Sequence, residues 1–231
     1  MIRFWVLVKR KVLALLGLRD HLRIGILISG RGSNMEAIIK GCKEGKIYGK
    51  VVVVISDNPN AKGLEIARGY GVRSFYVYPG RYKTKFEEDR EWEYVRILKK
   101  YAVDIVVMAG FMRVIKKPLL SSFTNKIINI HPSLLPKYPG LDTHRRVLES
   151  GDEIHGCTVH FANDVVDGGK IIMQAKVKVL PYDTPEDLSR RVLEREHKVL
   201  VKTLSLMANE KISYETLKSP IVYEPDDEVI V

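Results

Sequence analysis

Apolar residues in this chain alternate between short β-branched runs and longer segments where they recur every three or four positions. Arg23-Ile-Gly-Ile-Leu-Ile28 is the first run, and Ser29-Gly-Arg-Gly-Ser-Asn34 turns it into a predicted helix over 35–44. Lys50-Val-Val-Val-Val-Ile55 predicts a second strand, closed by the turn formers Asp57-Asn-Pro-Asn60. A helix over 62–70 stopped by Gly71 follows, then a strand over 72–77. Helical spacing of Phe86, Trp92, Val95, Ile97 and Leu98 predicts a helix over 83–101, with strands over 104–108 and 125–130 beyond it. Strands that are apolar on both faces and separated by helices predict a mostly parallel sheet covered on both sides. From Gly156 the pattern changes. Segments 157–162 and 170–179 read as strands with no helix between them, which predicts an antiparallel addition. A final helix over 185–207 has Thr184 as its N-cap, ahead of Pro185 and Glu186. The expected class is α/β: a doubly wound, mostly parallel sheet with helices on both faces and an antiparallel C-terminal addition.

Composition leaves that picture intact. The 231 residues, 45% hydrophobic and 29% charged, are ordinary for a soluble enzyme of one large domain. Cys42 and Cys157 match no metal spacing and require no oxidising compartment, so a cytoplasmic location is expected. The formal charge of +10 is unevenly placed: over 1–23, six bases (Arg3, Lys9, Arg10, Lys11, Arg19, Arg23) face one acid, Asp20, a net of +5. The rest suits an anionic small substrate as readily as a nucleic acid, and no aromatic–basic alternation favours the latter. In the basic lead, Lys9-Arg-Lys11 divides two apolar halves, neither of which reaches the roughly 18–20 residues that span a bilayer. No small-residue cleavage site follows them. Stable membrane insertion is therefore not expected; a surface helix, a partner-docking helix and residues upstream of the true start stay open. The chain reads as a basic apolar extension over 1–22, a catalytic domain over 23–210, and a mixed tail over 211–231 with partial disorder expected.

Two places carry chemistry. In Ile127-Ile-Asn-Ile-His-Pro-Ser-Leu-Leu-Pro136, Asn129 and His131 lie two apart on a strand and so share a face. They fall at its carboxyl end, where open parallel sheets bind ligands. The Pro-bounded segment that follows restricts the strand's exit. Asp167, before Gly168-Gly169, lies on a loop able to fold back over them. An amide donor, a histidine and an acid to hold it charged suit a reaction that develops an oxyanion; the bland alternative is a hydrogen-bonded strand end and a turn. The second place is Gly30-Arg-Gly-Ser-Asn34, where a strand opens into a helix and Gly32, Ser33 and Asn34 offer backbone and side-chain donors. It lacks the third glycine of a dinucleotide fingerprint and the Gly-Lys-Ser/Thr of a P-loop, so it implies a single phosphate, or else a capped tight turn. Ala109-Gly-Phe-Met-Arg113 either lines a pocket for a flat ligand or is ordinary packing. His144, His155 and His160 have no carboxylate or cysteine at metal-ligand spacing, so no metal is expected.

Taken together, Ser29-Gly-Arg-Gly-Ser-Asn34, Ala109-Gly-Phe-Met-Arg113, Asn129-Ile-His-Pro-Ser-Leu-Leu-Pro-Lys-Tyr-Pro-Gly-Leu141, Thr143-His144, Gly156-Cys-Thr-Val-His160, Asp167-Gly-Gly169 and Gln174-Ala175 closely resemble the phosphoribosylglycinamide formyltransferases, folate-dependent enzymes of purine synthesis. The resemblance spans about 23–211. It implies a Rossmann-like formyltransferase fold, with 10-formyltetrahydrofolate as co-substrate and glycinamide ribonucleotide as acceptor. It also implies no metal, no nucleic-acid partner, and a monomer or homodimer. By motif, Asn129, His131 and Asp167 are the implied catalytic set. Gly32, Ser33 and Asn34 are implied to hold the phosphate, with Glu196 near the ribose and glycinamide end. Met112, Arg113, Val114 and Ile115 are implied to border the pterin, and Asn129 to touch the folate as well. Two departures stand out: Lys85 aligns where the family offers an arginine, losing its fork, and Asp142 replaces a frequent histidine. Methionyl-tRNA formyltransferase and formyltetrahydrofolate deformylase share the Asn-x-His…Asp arrangement. The former adds a C-terminal barrel for which this chain has no room, and the latter carries an N-terminal regulatory domain and lacks the Gly-x-Gly-Ser-Asn loop. A non-catalytic nucleotide-binding module is the reading from another class.

Overall fold

The β-branched runs assemble into one eight-stranded sheet in the order β3-β2-β1-β4-β5-β6-β7-β8. The computed structural model describes residues 21–87 and 89–230; the basic apolar lead over 1–20 lies outside the described residues. The strands are β1 (Leu22–Ile28), β2 (Gly49–Ser56), β3 (Arg73–Tyr76), β4 (Ile105–Met108), β5 (Ile127–His131), β6 (Ile154–Phe161), β7 (Ile171–Lys178) and β8 (Ile221–Tyr223). Helices α1 (Ser33–Lys43), α2 (Lys62–Gly69), α3 (Arg90–Lys100), α4 (Lys117–Ser122), α5 (Thr143–Ser150) and α6 (Pro185–Ala208) connect them. Strands β1 to β5 pair in parallel, whereas β6 is antiparallel to both β5 and β7, as the change of pattern at Gly156 predicts.

Period-two alternation divides the core. Ile24, Ile26 and Ile28 pack on one face with Met35 and Ile38 of α1 and Val199 and Leu200 of α6. Leu27, Val53 and Val106 face the other way, toward Tyr94 and Leu98 of α3 and Leu119 of α4. Gly25 is needed for that second face, since a Cβ there would lie 2.6 Å from Leu98 Cδ2. α6 begins with the Thr184 cap read from the sequence: Asp187 N donates to Thr184 Oγ1 at 3.2 Å, and Thr184 N returns the bond to Asp187 Oδ2 at 3.3 Å.

Three expectations are corrected. The helix predicted over 83–101 starts only at Arg90. Its leading residues spend their backbone on tertiary bonds: Thr84 O accepts from Val114 N at 2.9 Å, and Pro79 O from Glu87 N at 2.9 Å. Two helices escape the periodicity because they are short. α4 is 6 residues long, and Glu91 of α3 caps its start by accepting from Lys116 N and Leu119 N at 2.7 and 3.3 Å. α5 is 8 residues long and buries only Thr143 and Val147. Finally, the segment after Lys211, read from the sequence as a mixed tail with no element of its own, carries a strand. Its strand β8 pairs in parallel with β7, because Leu217 and Val229 are buried against the sheet despite their polar neighbours.

Strand order reverses at β1, which has β2 on one side and β4 on the other. In open α/β sheets such a switch point leaves a crevice outside the carboxyl ends of the strands. Both chains leaving it are tied together: Ser29 N donates to Gly110 O at 3.0 Å, and Met112 N to Ser29 Oγ at 2.8 Å.

Candidate active site

At the end of β5, Asn129 is half-buried and His131 buried, two residues apart on one strand. Antiparallel β6 sets His160 opposite Asn129 and Thr158 opposite His131. Asp167 arrives from the loop between β6 and β7, in the left-handed region at φ 53°. Its Oδ1 accepts from Asn129 Nδ2 at 3.3 Å, and its Oδ2 accepts from Gly140 N at 2.9 Å and lies 3.4 Å from His131 Nδ1. The three residues singled out in the sequence therefore meet. His160 joins them: its Nε2 is 3.1 Å from Asn129 Nδ2 and 3.6 Å from Asp167 Oδ1, while its Nδ1 faces Phe161 O at 2.9 Å. Sequence reasoning weighed His160 only as a metal ligand and as part of a motif. The available signal was the Thr158/His160 spacing, which mirrors Asn129/His131, but its meaning needs the β5–β6 register.

The Gly-Gly pair explains how Asp167 gets so close. A Cβ on Gly169 would sit 1.7 Å from Phe161 O, and one on Gly168 2.6 Å from Val165 Cγ1. Gly169→Ala is therefore expected to destabilise by about 1–3 kcal/mol, at about 2–4 °C in Tm per kcal/mol, and to lower activity by lifting Asp167's loop off β6. An unchanged thermal melt would show that the loop does not depend on this approach.

The exit from β5 is held as the two prolines of that segment anticipate. Thr158 Oγ1 donates to Ser133 O at 2.6 Å and accepts from Leu135 N at 3.0 Å and from Gln174 Nε2 at 2.9 Å. Ser133 Oγ donates to Lys137 O at 2.7 Å, and the Leu135–Pro136 peptide is cis. This framework puts Tyr138 O 2.9 Å from His131 Nε2. Since a carbonyl only accepts, Nε2 carries a proton, and Nδ1 faces the Asp167 carboxylate.

Burial lowers the pKa of His131 below the usual imidazole value, and the upward pulls of the Tyr138 carbonyl and of Asp167 do not offset it. The expectation that Asp167 holds His131 charged is thus corrected in its balance: the pull is present, and desolvation outweighs it. For Asp167 burial pushes upward, but the hydrogen bond with His160, the Gly140 N–H and the nearby His131 together hold the carboxyl below its ordinary range. His144 and His155 pair with each other, Nδ1 to Nε2 at 3.1 Å, and burial pushes His155 down to about 3. Among the described residues no group of three or more His, Cys, Asp or Glu is arranged to hold a metal ion.

On the other side of the switch point, Gly32 is left-handed at φ 79° and immediately precedes α1, against Gly63. The first N–H groups of α1 have no intrahelical acceptor and carry the helix's positive end. Ser33 is half-buried and Asn34 buried, and the Asn34 Nδ2 donates to Glu196 Oε2 at 2.6 Å. Burial pushes Glu196 up to about 7, a rise the Asn34 bond only tempers. Glu196, 162 residues away in sequence, thus lies beside the phosphate-type loop.

Beyond β4, Met112 is 55% exposed, Val114 half-buried and Ile115 buried. Lys85 is exposed on the neighbouring loop. The Arg113 side chain is instead buried, with its Nε on Asp57 Oδ2 at 2.8 Å. Asp57 was read from the sequence only as a turn former.

A strand-order switch point, an amide–imidazole–carboxylate cluster at the end of β5 and an open helix start after β1 have the make-up of a group-transfer enzyme. The formyl transferase family profile matches residues 22–204, and the chain belongs to that family. It is 44% identical over 191 residues to the phosphoribosylglycinamide formyltransferase of Escherichia coli K12, covering 83% of this chain and 89% of that one. The crystal structure of glycinamide ribonucleotide transformylase 1 from Symbiobacterium toebii superposes with a TM-score of 0.82 at 46% identity, covering 87% of this chain and 94% of the other. The phosphoribosylglycinamide formyltransferase of Anaplasma phagocytophilum gives 0.79 at 38% identity, with 89% and 100% covered.

Proposed function

We propose that this enzyme transfers the formyl group of 10-formyltetrahydrofolate to the amine of 5-phosphoribosylglycinamide, giving formylglycinamide ribonucleotide and tetrahydrofolate in de novo purine synthesis. The observation that carries the reading is the convergence of Asn129, His131 and Asp167 at the end of β5, across the switch point from Gly32 and Ser33. The helix start takes the substrate's phosphate through the Gly32, Ser33 and Asn34 segment, by its backbone N–H groups and the Ser33 hydroxyl. Glu196 accepts from its hydroxyls, and the 112–115 segment borders the folate ring. The amine lone pair attacks the formyl carbon, and the carbonyl π pair moves onto oxygen. Asn129 Nδ2 and protonated His131 donate to that oxyanion, a ligand atom replacing one of the imidazole's present partners. The tetrahedral centre collapses by breaking the bond to the folate nitrogen. In net terms one proton leaves the amine and one reaches the folate nitrogen, with His131 as carrier and Asp167 as its counter-charge. Small-molecule substrates are the only partners this chemistry needs.

No helix among the described residues is long and apolar enough to cross a membrane, and a cytoplasmic location is part of the proposal. The test is a single-turnover assay following tetrahydrofolate release with and without the ribonucleotide. Release that depends on the ribonucleotide supports the proposal. Release in water alone would identify a deformylase, and no release in either case would overturn both.

A further inference from the structure

The loop over 81–85 is exposed at every residue, yet its backbone is held. Exposed side chains supply no burial to fix a loop, so its position rests on polar bonds. Arg113 supplies most of them. Its Nη1 donates to Lys85 O at 2.9 Å and also to Tyr82 O, and the adjacent Val114 N donates to Thr84 O at 2.9 Å. The same guanidinium binds Asp57 Oδ2 just past the end of β2, and the two side chains are 9% and 7% exposed. One planar group therefore joins the sheet to two positions of the loop, Tyr82 and Lys85, and the neighbouring Val114 N–H holds a third, Thr84. A carboxylate on Nε and two carbonyls on Nη1 engage both of those nitrogens of the guanidinium.

We infer that Arg113 is a positioning residue. It fastens the 82–85 loop to the end of β2 through Asp57, and thereby holds the Lys85 ammonium at the folate side of the crevice. The inference rests on the proposed formyl donor, whose glutamyl carboxylates are the anions an exposed lysine there would meet. Lysine at 113 could reach Asp57 or the carbonyls but lacks the fork that spans both. Asp57→Asn keeps the shape while leaving the guanidinium without its counter-charge.

The test pairs a readout of the loop with a readout of catalysis on the full-length protein. The loop offers trypsin sites after Arg81, Lys83 and Lys85, so cleavage there under native conditions reports how firmly it is held. Arg113→Lys and Asp57→Asn should each speed that cleavage by about 10-fold, and Asp57→Asn, which leaves the folate-bordering segment intact, should raise KM for the formylfolate about 10-fold while KM for the ribonucleotide and kcat stay within about 2-fold. Lys85→Ala should raise the same KM, and combining it with Asp57→Asn should add little, because both act through one contact. Unchanged cleavage in both variants would overturn the clamp. Faster cleavage with equal rises in both KM values, or full additivity of the double variant, would overturn its role in presenting Lys85. Circular dichroism identifies a variant that does not fold, and the isosteric Asp57→Asn then carries the test. If the parent enzyme transfers no formyl group, the proposed function fails while the cleavage comparison still decides the clamp.

Discussion

Replacing Asn129 or His131 with alanine leaves a folded protein whose turnover falls at least ~100-fold, the loss expected when one donor to a developing oxyanion is removed, about 2.7–4 kcal/mol of barrier. The fold survives because neither side chain is a keystone of the core. Asn129 is half-buried, and its Nδ2 serves only His160 and Asp167. Without His131, the Asp167 carboxylate keeps the Gly140 N–H and its bond to Asn129, so no buried charge is stranded. The two losses should not add fully in the double variant, since both donors address one oxygen. Single-turnover rates and thermal melts on the three variants check this. Near-normal rates with intact melts would remove Asn129 and His131 from the chemistry.

Much of this was legible in the sequence where local rules suffice. Alternation between β-branched runs and helical spacing predicts the parallel half of the sheet. The two-residue spacing of Asn129 and His131 needs only strand geometry to place both on one face. What escaped reading depends on partners distant in the chain. His160 becomes part of the cluster through the antiparallel register that sets it opposite Asn129. Asn34 gains a partner that spacing cannot show when α6 brings Glu196 to within 2.6 Å of its Nδ2. The guanidinium of Arg113 finds its counter-charge in Asp57, 56 positions earlier, which in sequence is only a turn former. The charge state of His131 follows the same logic. Opposite charge beside it is readable from the motif, but the burial that outweighs that charge is a property of the assembled loop around Ser133 and Tyr138. Short α4 and α5 were missed for a local reason, having too few turns to display a period. Where sequence alone misjudged a residue, the cause was in most cases a contact whose worth depends on desolvation, which no spacing rule encodes.

That balance at His131 sets the outcome for Asp167→Asn. The amide is isosteric, still accepts from Gly140 N through its oxygen, and leaves the loop in place. It removes the negative charge that offsets part of the burial penalty on the imidazolium. The pKa of His131, already below the usual value near 6.5 because of burial, then falls further. Loss of the counter-charge together with that of the proton donor should lower the rate on the order of 10²- to 10⁴-fold near pH 7. The sign of the pH effect follows from which form works. If the imidazolium donates to the oxyanion, the rate declines as pH rises through the histidine's pKa, and in the variant that decline begins at lower pH. Parent and variant should therefore draw closer as pH is lowered, and differ most on the alkaline side. Acid also costs stability. A buried histidine with a depressed pKa loses stability below its unfolded value, and a carboxylate with a lowered pKa loses it on falling through its folded value. The comparison is therefore made between about pH 5 and pH 8, with melts at each point to separate rate from unfolding. A rate gap independent of pH would mean that Asp167 acts through its bond from Asn129, which an amide NH2 at that position cannot accept, leaving the charge on His131 out of the mechanism.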